Sequence, residues 1–201
     1  MTVTGIRTIG GIVELSCDGR VSCCIAKKHF AKLPLAVGDG IDEAEYIDRI
    51  AALQAADCYE AALNLLDIST KTKSALCAKL RQKGYVAPAA EAAVQRLEEA
   101  KLLDDRIFAE RIVERQKTKP IGIYAMKQKL RAKGFSEEDA EHAVQQLDEE
   151  HQIEQAKLLA QKLAPRYEKE PNERKRRALL SQALARRGFS WDVISQALEE
   201  E

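Results

Sequence analysis

Leu80-Arg81-Gln82-Lys83-Gly84-Tyr85 is followed fifty residues on by Leu130-Arg131-Ala132-Lys133-Gly134-Phe135, and fifty-four residues later by Leu184-Ala185-Arg186-Arg187-Gly188-Phe189. Each stretch reads as the end of a basic helix, a glycine that stops it in the left-handed conformation, and an aromatic that opens the next helix. Recurrence at about 50 residues marks one supersecondary unit laid end to end. A unit of that size buries too little apolar surface to stand alone, so the copies are expected to lean on one another or on a partner.

Working outward, Leu76 and Leu80, Met126 and Leu130, and Leu180 and Leu184 form matching core rows on the basic second helices. First helices are predicted over about 59–66, 105–117 and 152–167, with Leu63 and Leu66, Phe108 and Ile112, and Leu159 and Leu163 turned inward. Third helices follow each glycine at once. Ser136 and Ser190 are good N-caps, and Phe135 with Ala140 and Phe189 with Ile194 make hydrophobic staples. The first copy has Val86 in place of the serine, and Pro88 sets its early-turn geometry.

Upstream the pattern changes. Val13, Leu15 and Cys17 alternate with polar or small residues, Asp18-Gly19 signals a tight hairpin, and Val21, Cys23 and Ile25 resume the alternation, with a further strand expected over 3–9. Asp42 with Glu45 forms a capping box that opens a helix. The expected fold is mainly α: three tandem three-helix repeats in an elongated, curved array behind a small N-terminal β-hairpin region. The expected boundaries are 1–56 for the hairpin and helix extension, then 57–102, 103–149 and 150–201 for the repeats.

Hydrophobic residues make up 45% of the chain, charged residues 32% and aromatics 5%, the balance of an ordered helical protein. The five cysteines are odd in number and lack CxxC spacing, so they read as reduced thiols packed as small apolar residues. His29, His142 and His151 do not share ligand spacing with cysteines or carboxylates, and neither a metal nor a cofactor is expected. Asp104-Asp105 sits where acids cap a helix. Gly10-Gly11 and Gly38-Asp39-Gly40 lack the spacing of a nucleotide loop, and no enzymatic constellation emerges. No apolar run reaches the roughly 18 residues of a membrane span, and the first residues carry no signal pattern, so a cytoplasmic monomer is expected.

The formal net charge of zero hides a segregation. Residues 71–84 hold five bases and no acid, 122–134 four and none, and 173–188 six and one; the segments after each glycine are acidic. Lys79 and Lys83 in the first copy and Lys129 and Lys133 in the second are four residues apart at equivalent positions, so each pair forms a ridge on one helical face, and Arg81 and Arg131 are equivalent too. In the third copy Ala183 and Ala185 replace two of these cations, while Arg174, Arg176 and Arg177 crowd the helix start with Lys175, and Arg186 and Arg187 precede the glycine. Cations at that end oppose the helix dipole, which points to an external anion, although Glu173 relieves part of the conflict. These eleven residues are candidate contacts to phosphate or to an acidic protein surface. The opposing reading is that the basic helices are ordinary solvated faces or pair with the acidic helices after them. Tyr85, Phe135 and Phe189 read as staples and core rather than base-stacking platforms.

The ordered motifs resemble the RecX family of regulators of the RecA recombinase, over about residues 57–201. They are Lys71 through Leu76-x-x-Lys79-Leu80-x-x-Lys83-Gly84-Tyr85, Leu103-Asp104-Asp105-x-x-Phe108-Ala109 with Arg115 downstream, Gly122, and Leu130-x-x-Lys133-Gly134-Phe135. Lys71 and Ala75 stand where the family usually has arginine and glutamate. Residues 1–56 are similar to the N-terminal extension of longer members. The resemblance implies a protein that binds the RecA filament on single-stranded DNA, suppresses its ATP hydrolysis and strand exchange, and so modulates recombinational repair within the SOS response. The alternative is a helix-turn-helix regulator that binds duplex DNA directly.

Overall fold

Two tight turns fold the first 26 residues back on themselves. Gly10 and Gly11 hold φ of 57° and 85°, and Asp18 and Gly19 hold 48° and 79°; positive φ at both central residues gives the turn twist that paired strands need. The product is an antiparallel sheet in the order β1 (Val3–Ile9), β2 (Ile12–Cys17), β3 (Arg20–Ala26). Val13, Leu15 and Cys17 are buried as their alternation predicts. Val21 is not: it is 59% exposed. The β2–β3 register shifts after Leu15, which pairs with Cys23 while Ser16 pairs with Val21, so the extra residue Ser22 turns Val21 to the other face.

The computed structural model describes residues 1–199. A short helix, α1 (Lys27–Phe30), leaves the sheet, and α2 (Glu43–Ile68) begins at Asp42, whose carboxylate accepts the Glu45 N–H at 3.1 Å. Its buried residues, Tyr46, Ile50, Gln54, Cys58 and Ala62, recur every fourth position. This helix runs unbroken through residues 56 and 57, where the sequence pattern suggests a change of domain. After it come α3 (Lys73–Gln82), capped by the Thr72 hydroxyl on the Ala75 N–H, and α4 (Ala87–Glu99). Leu15, Ile25, Ile50, Leu76, Leu80 and Leu97 are all fully buried in one core, each worth roughly 1.5–3 kcal/mol of burial. Sheet and first helical repeat thus share one core and form one compact unit, Met1–Asp104. The five cysteines are free thiols; Cys17 and Cys58 are buried in this core, and burial pushes the Cys58 thiol up to about 12.

The second unit starts at Asp105. In it α5 (Asp105–Glu114), α6 (Ile123–Ala132) and α7 (Glu137–Val144) close on Ala109, Met126, Leu130, Phe135 and Ala140. Then α8 (Glu149–Tyr167), α9 (Glu173–Ala185) and α10 (Trp191–Glu199) close on Leu159, Leu180, Leu184, Phe189 and Ile194. The three predicted core rows and both staple pairs are in place. One helix starts earlier than its predicted residue 152: Asp148 accepts the His151 N–H at 2.7 Å and caps α8, which begins at Glu149.

Gly84, Gly134 and Gly188 have φ of 84°, 88° and 84°, the left-handed stop that their position predicts. Two of them also join modules. The Gly84 carbonyl accepts the Ala26 N–H of the sheet at 2.8 Å, and the Gly188 carbonyl accepts the Tyr124 N–H of α6 at 3.1 Å, next to a Gly122 N–H to Arg187 carbonyl bond of 2.9 Å. The backbones meet so closely that a Cβ on Gly122 would lie 2.1 Å from the Gly188 carbonyl carbon. Gly122 has φ of −78°, comfortable for any residue, so it is glycine for room alone. Alanine there is expected to destabilise the second unit by about 1–3 kcal/mol, the usual range for overpacking. A urea midpoint equal to the parent's would show the junction to be dispensable.

Candidate functional site

The basic helices present their charge because Leu76 and Leu80, Met126 and Leu130, and Leu180 and Leu184 fix the opposite face inward. Lys79, Arg81, Lys83, Arg131 and Lys133 are exposed on α3 and α6 and the turns after them, and Lys129 is half-buried. On α9 and just beyond it, Arg174, Arg177, Arg186 and Arg187 are exposed and Arg176 is half-buried, while Ala183, in the place of Lys79 and Lys129, is buried. Tyr85, Phe135 and Phe189 are buried too and offer no ring to a ligand.

The three repeats differ in how far their own acids answer this charge. In the second repeat Arg131 pairs with Glu137, Lys127 pairs with Glu141 at 3.1 Å, and Lys129 donates to Gln116 at 3.0 Å. Pairing of a basic helix with the acidic helix that follows it therefore occurs on α6. In the first repeat Lys73 meets Glu98 at 2.8 Å and Lys79 donates to Gln82 at 3.0 Å, while Arg81 and Lys83 have no ion-pair partner among the described residues. Arg81 borders a groove lined by Val21, Cys24, Ala78 and Pro88.

In the third repeat Lys175 pairs with Glu170 at 2.8 Å, holding that carboxyl below its ordinary range. Asn172 caps α9 through the Lys175 N–H at 3.1 Å. Arg174, Arg176, Arg177, Arg186 and Arg187 have no ion-pair partner among the described residues. This is the least neutralised of the three surfaces. Surface pairs such as Lys127–Glu141 are worth only about 0–1 kcal/mol, so an arriving polyanion can displace them at small cost.

A buried polar network sets the end of α3. Gln54, fully buried in the four-residue ladder of α2, accepts the Val86 N–H at 2.8 Å and donates to the Gly84 carbonyl at 2.9 Å. Its amide nitrogen also faces His29 Nδ1 at 3.3 Å, so Nδ1 accepts and Nε2 carries the proton toward Asp57, 3.3 Å away. Asp57 further accepts from the Tyr85 hydroxyl at 2.7 Å and pairs with Lys28 at 2.6 Å, and these partners hold its carboxyl below the ordinary range. The sequence signal for this network is a single glutamine inside an otherwise apolar ladder. In the second unit buried Gln152 plays a comparable part, accepting the Ile123 N–H at 3.1 Å while His151 Nε2 lies 3.1 Å from the Lys117 carbonyl.

Among the described residues no group of three His, Cys, Asp or Glu could hold a metal ion, and no helix is long and apolar enough to cross a membrane. Burial holds the His29 imidazole below its ordinary 6.5, against the opposing pull of Asp57. The unfolded chain therefore takes up this proton first as pH falls. Stability from neutral His29 is complete above about 6.5 and is lost as pH falls below that value. The His29 ring proton followed by NMR is expected to titrate below 6.5, and the urea midpoint to drop over the same interval. Titration at or above the ordinary value would contradict the network.

Three family models match the chain in order: RecX, first three-helix domain, over 58–97; second, over 104–144; and third, over 149–198. A protein named Regulatory protein RecX from Limosilactobacillus reuteri (strain DSM 20016) is 30% identical over 191 residues, which span 94% of this chain and 72% of that protein. Its namesake from Trichlorobacter lovleyi is 32% identical over 149 residues, 73% of this chain and 97% of its own. Among solved structures, a crystal structure of regulatory protein RecX covers 100% of this chain and 99% of its own at a TM-score of 0.68 and 29% identity. The crystal structure of RecX from Lactobacillus salivarius covers 74% and 97% with the same score and identity.

Proposed function

The chain belongs to the RecX family of regulatory proteins, and we propose that it acts on the RecA recombinase as a filament on single-stranded DNA, suppressing ATP hydrolysis and strand exchange. Regulation of RecA is what the family implies; the manner of it is our reading. The observation that supports it is the surface of α9 and the turn after it, where five exposed or half-exposed arginines have no ion-pair partner among the described residues. A protein of zero formal net charge that concentrates unanswered cations on one helix and the turn after it is equipped for phosphate or for acidic protein surface. Lys79, Arg81, Lys83, Lys129, Arg131 and Lys133 extend that role to the other two basic helices. Repeated modules also suit a repeating target, since each weak contact raises the effective concentration of the next. The reading takes the protein as a cytoplasmic monomer.

The test is a titration into RecA, single-stranded DNA and ATP, following ATP hydrolysis, with DNA alone as control. The parent is expected to inhibit. Lys129→Glu with Lys133→Glu, and separately Arg186→Glu with Arg187→Glu, are expected to weaken inhibition on the order of tenfold with unchanged circular dichroism. Undiminished inhibition by both pairs would remove the basic helices from the mechanism. Tight, sequence-selective binding to duplex DNA without recombinase would favour a helix-turn-helix regulator instead.

A further inference from the structure

Two large aromatic side chains of the second unit lie outside its cores: Tyr124 is 59% exposed and Trp191 is 67% exposed. They open α6 and α10, and the backbone brings those two helix starts together. The Tyr124 N–H donates to the Gly188 carbonyl at 3.1 Å, and Trp191 follows Gly188 by three positions. Arg186 and Arg187 precede that same glycine, both exposed and without an ion-pair partner among the described residues. Two rings and two guanidinium groups therefore emerge within a few residues of one backbone junction.

Comparison of the repeats shows what changed. Trp191 is the first residue of its helix, the place held by Ala87 in the first repeat and by Glu137 in the second. Glu137 neutralises Arg131. The third repeat carries a ring there in place of that masking acid. The acid nearest to this ring in sequence is Asp192, at the start of α10.

We infer that Tyr124 and Trp191 form a stacking site for the unpaired bases of a single-stranded nucleic acid, with Arg186 and Arg187 holding its phosphates. Rings and arginines also mark protein hot spots, but those centre on a desolvated apolar patch. The other exposed large apolar side chains of this unit, Ile107 and Leu158, lie on α5 and α8, and the half-buried aliphatics beside the junction, Ile121 and Ile123, pack against the core of the second repeat. Exposed rings interleaved with cations, the neighbouring aliphatics being turned to the core, suit bases and backbone together, and they bind without reading sequence. The inference rests on the nucleic-acid side of the proposed function and assigns it a place.

Trp191 is the chain's single tryptophan, so its fluorescence reports the site directly. Oligothymidylate added to the full chain at low salt is expected to quench it saturably, while an abasic oligomer of equal length and a blunt duplex bind weakly and leave it bright. Tyr124→Ala is expected to weaken oligothymidylate about fivefold or more with unchanged circular dichroism, and Arg187→Ala to flatten the salt dependence by about one unit of slope. Equal affinity for the abasic oligomer, or binding without quenching, overturns the stacking site. Quenching by RecA alone in the absence of DNA overturns it in favour of a protein contact. The ATPase titration separates the two ideas: inhibition without quenching sinks the stacking site and leaves the proposed function standing, and quenching without inhibition does the reverse.

Discussion

A carbonyl oxygen on a left-handed glycine is the joint on which this molecule is built. With φ near 84°, Gly84 and Gly188 end their helices and turn the chain so that the carbonyl meets a neighbour's N–H, Ala26 in one case and Tyr124 in the other. Neither bond tolerates a side chain: a Cβ at Gly84 would sit 2.5 Å from the Ala26 nitrogen, and one at Gly188 would sit 2.2 Å from that of Ala125. The same residue that stops the helix thus also fastens it. Because the cations stand just ahead of these glycines, fastening the turn also orients the charge.

On this shared frame the three repeats have diverged in chemistry rather than in shape. The second covers its basic helix with the acids of the next helix, Glu137 and Glu141. The first leaves Arg81, beside the sheet, and Lys83 without an ion-pair partner among the described residues. The third moves its arginines to the two ends of α9 and buries an alanine where the others carry lysine. A repeat protein can change one copy in this way because the cores of the second and third copies, around Met126 and Leu130 and around Leu159 and Ile194, each close within their own helices.

Much of this architecture is legible in the residues themselves. Glycine stops, serine caps and four-residue leucine rows are local rules, and Leu80, Leu130 and Leu184 obey them wherever the chain goes. What is not legible depends on meetings at long range. The slip that exposes Val21 is a property of two paired strands and not of either alone. Gln54 looks like an interruption of an apolar ladder until Val86, some thirty residues away, supplies its partner. Arg131 reads as an open cation from its own helix, and only the fold shows Glu137 beside it. For the candidate site, then, sequence pattern supplies the identities of the cations and structure supplies which of them are answered.

The unbroken course of α2 has a consequence for how the chain can be divided. Its buried ladder starts at Tyr46 and Ile50, beside the sheet, and ends at Cys58 and Ala62, among the helices of the first repeat. A fragment beginning at residue 57 would open in mid-helix, keep only the lower rungs, and lose the glutamine that ties down the turn after α3. The compact units of this protein therefore meet between Asp104 and Asp105 and not at residue 57, and a cut that separates the sheet from the first repeat divides a shared core.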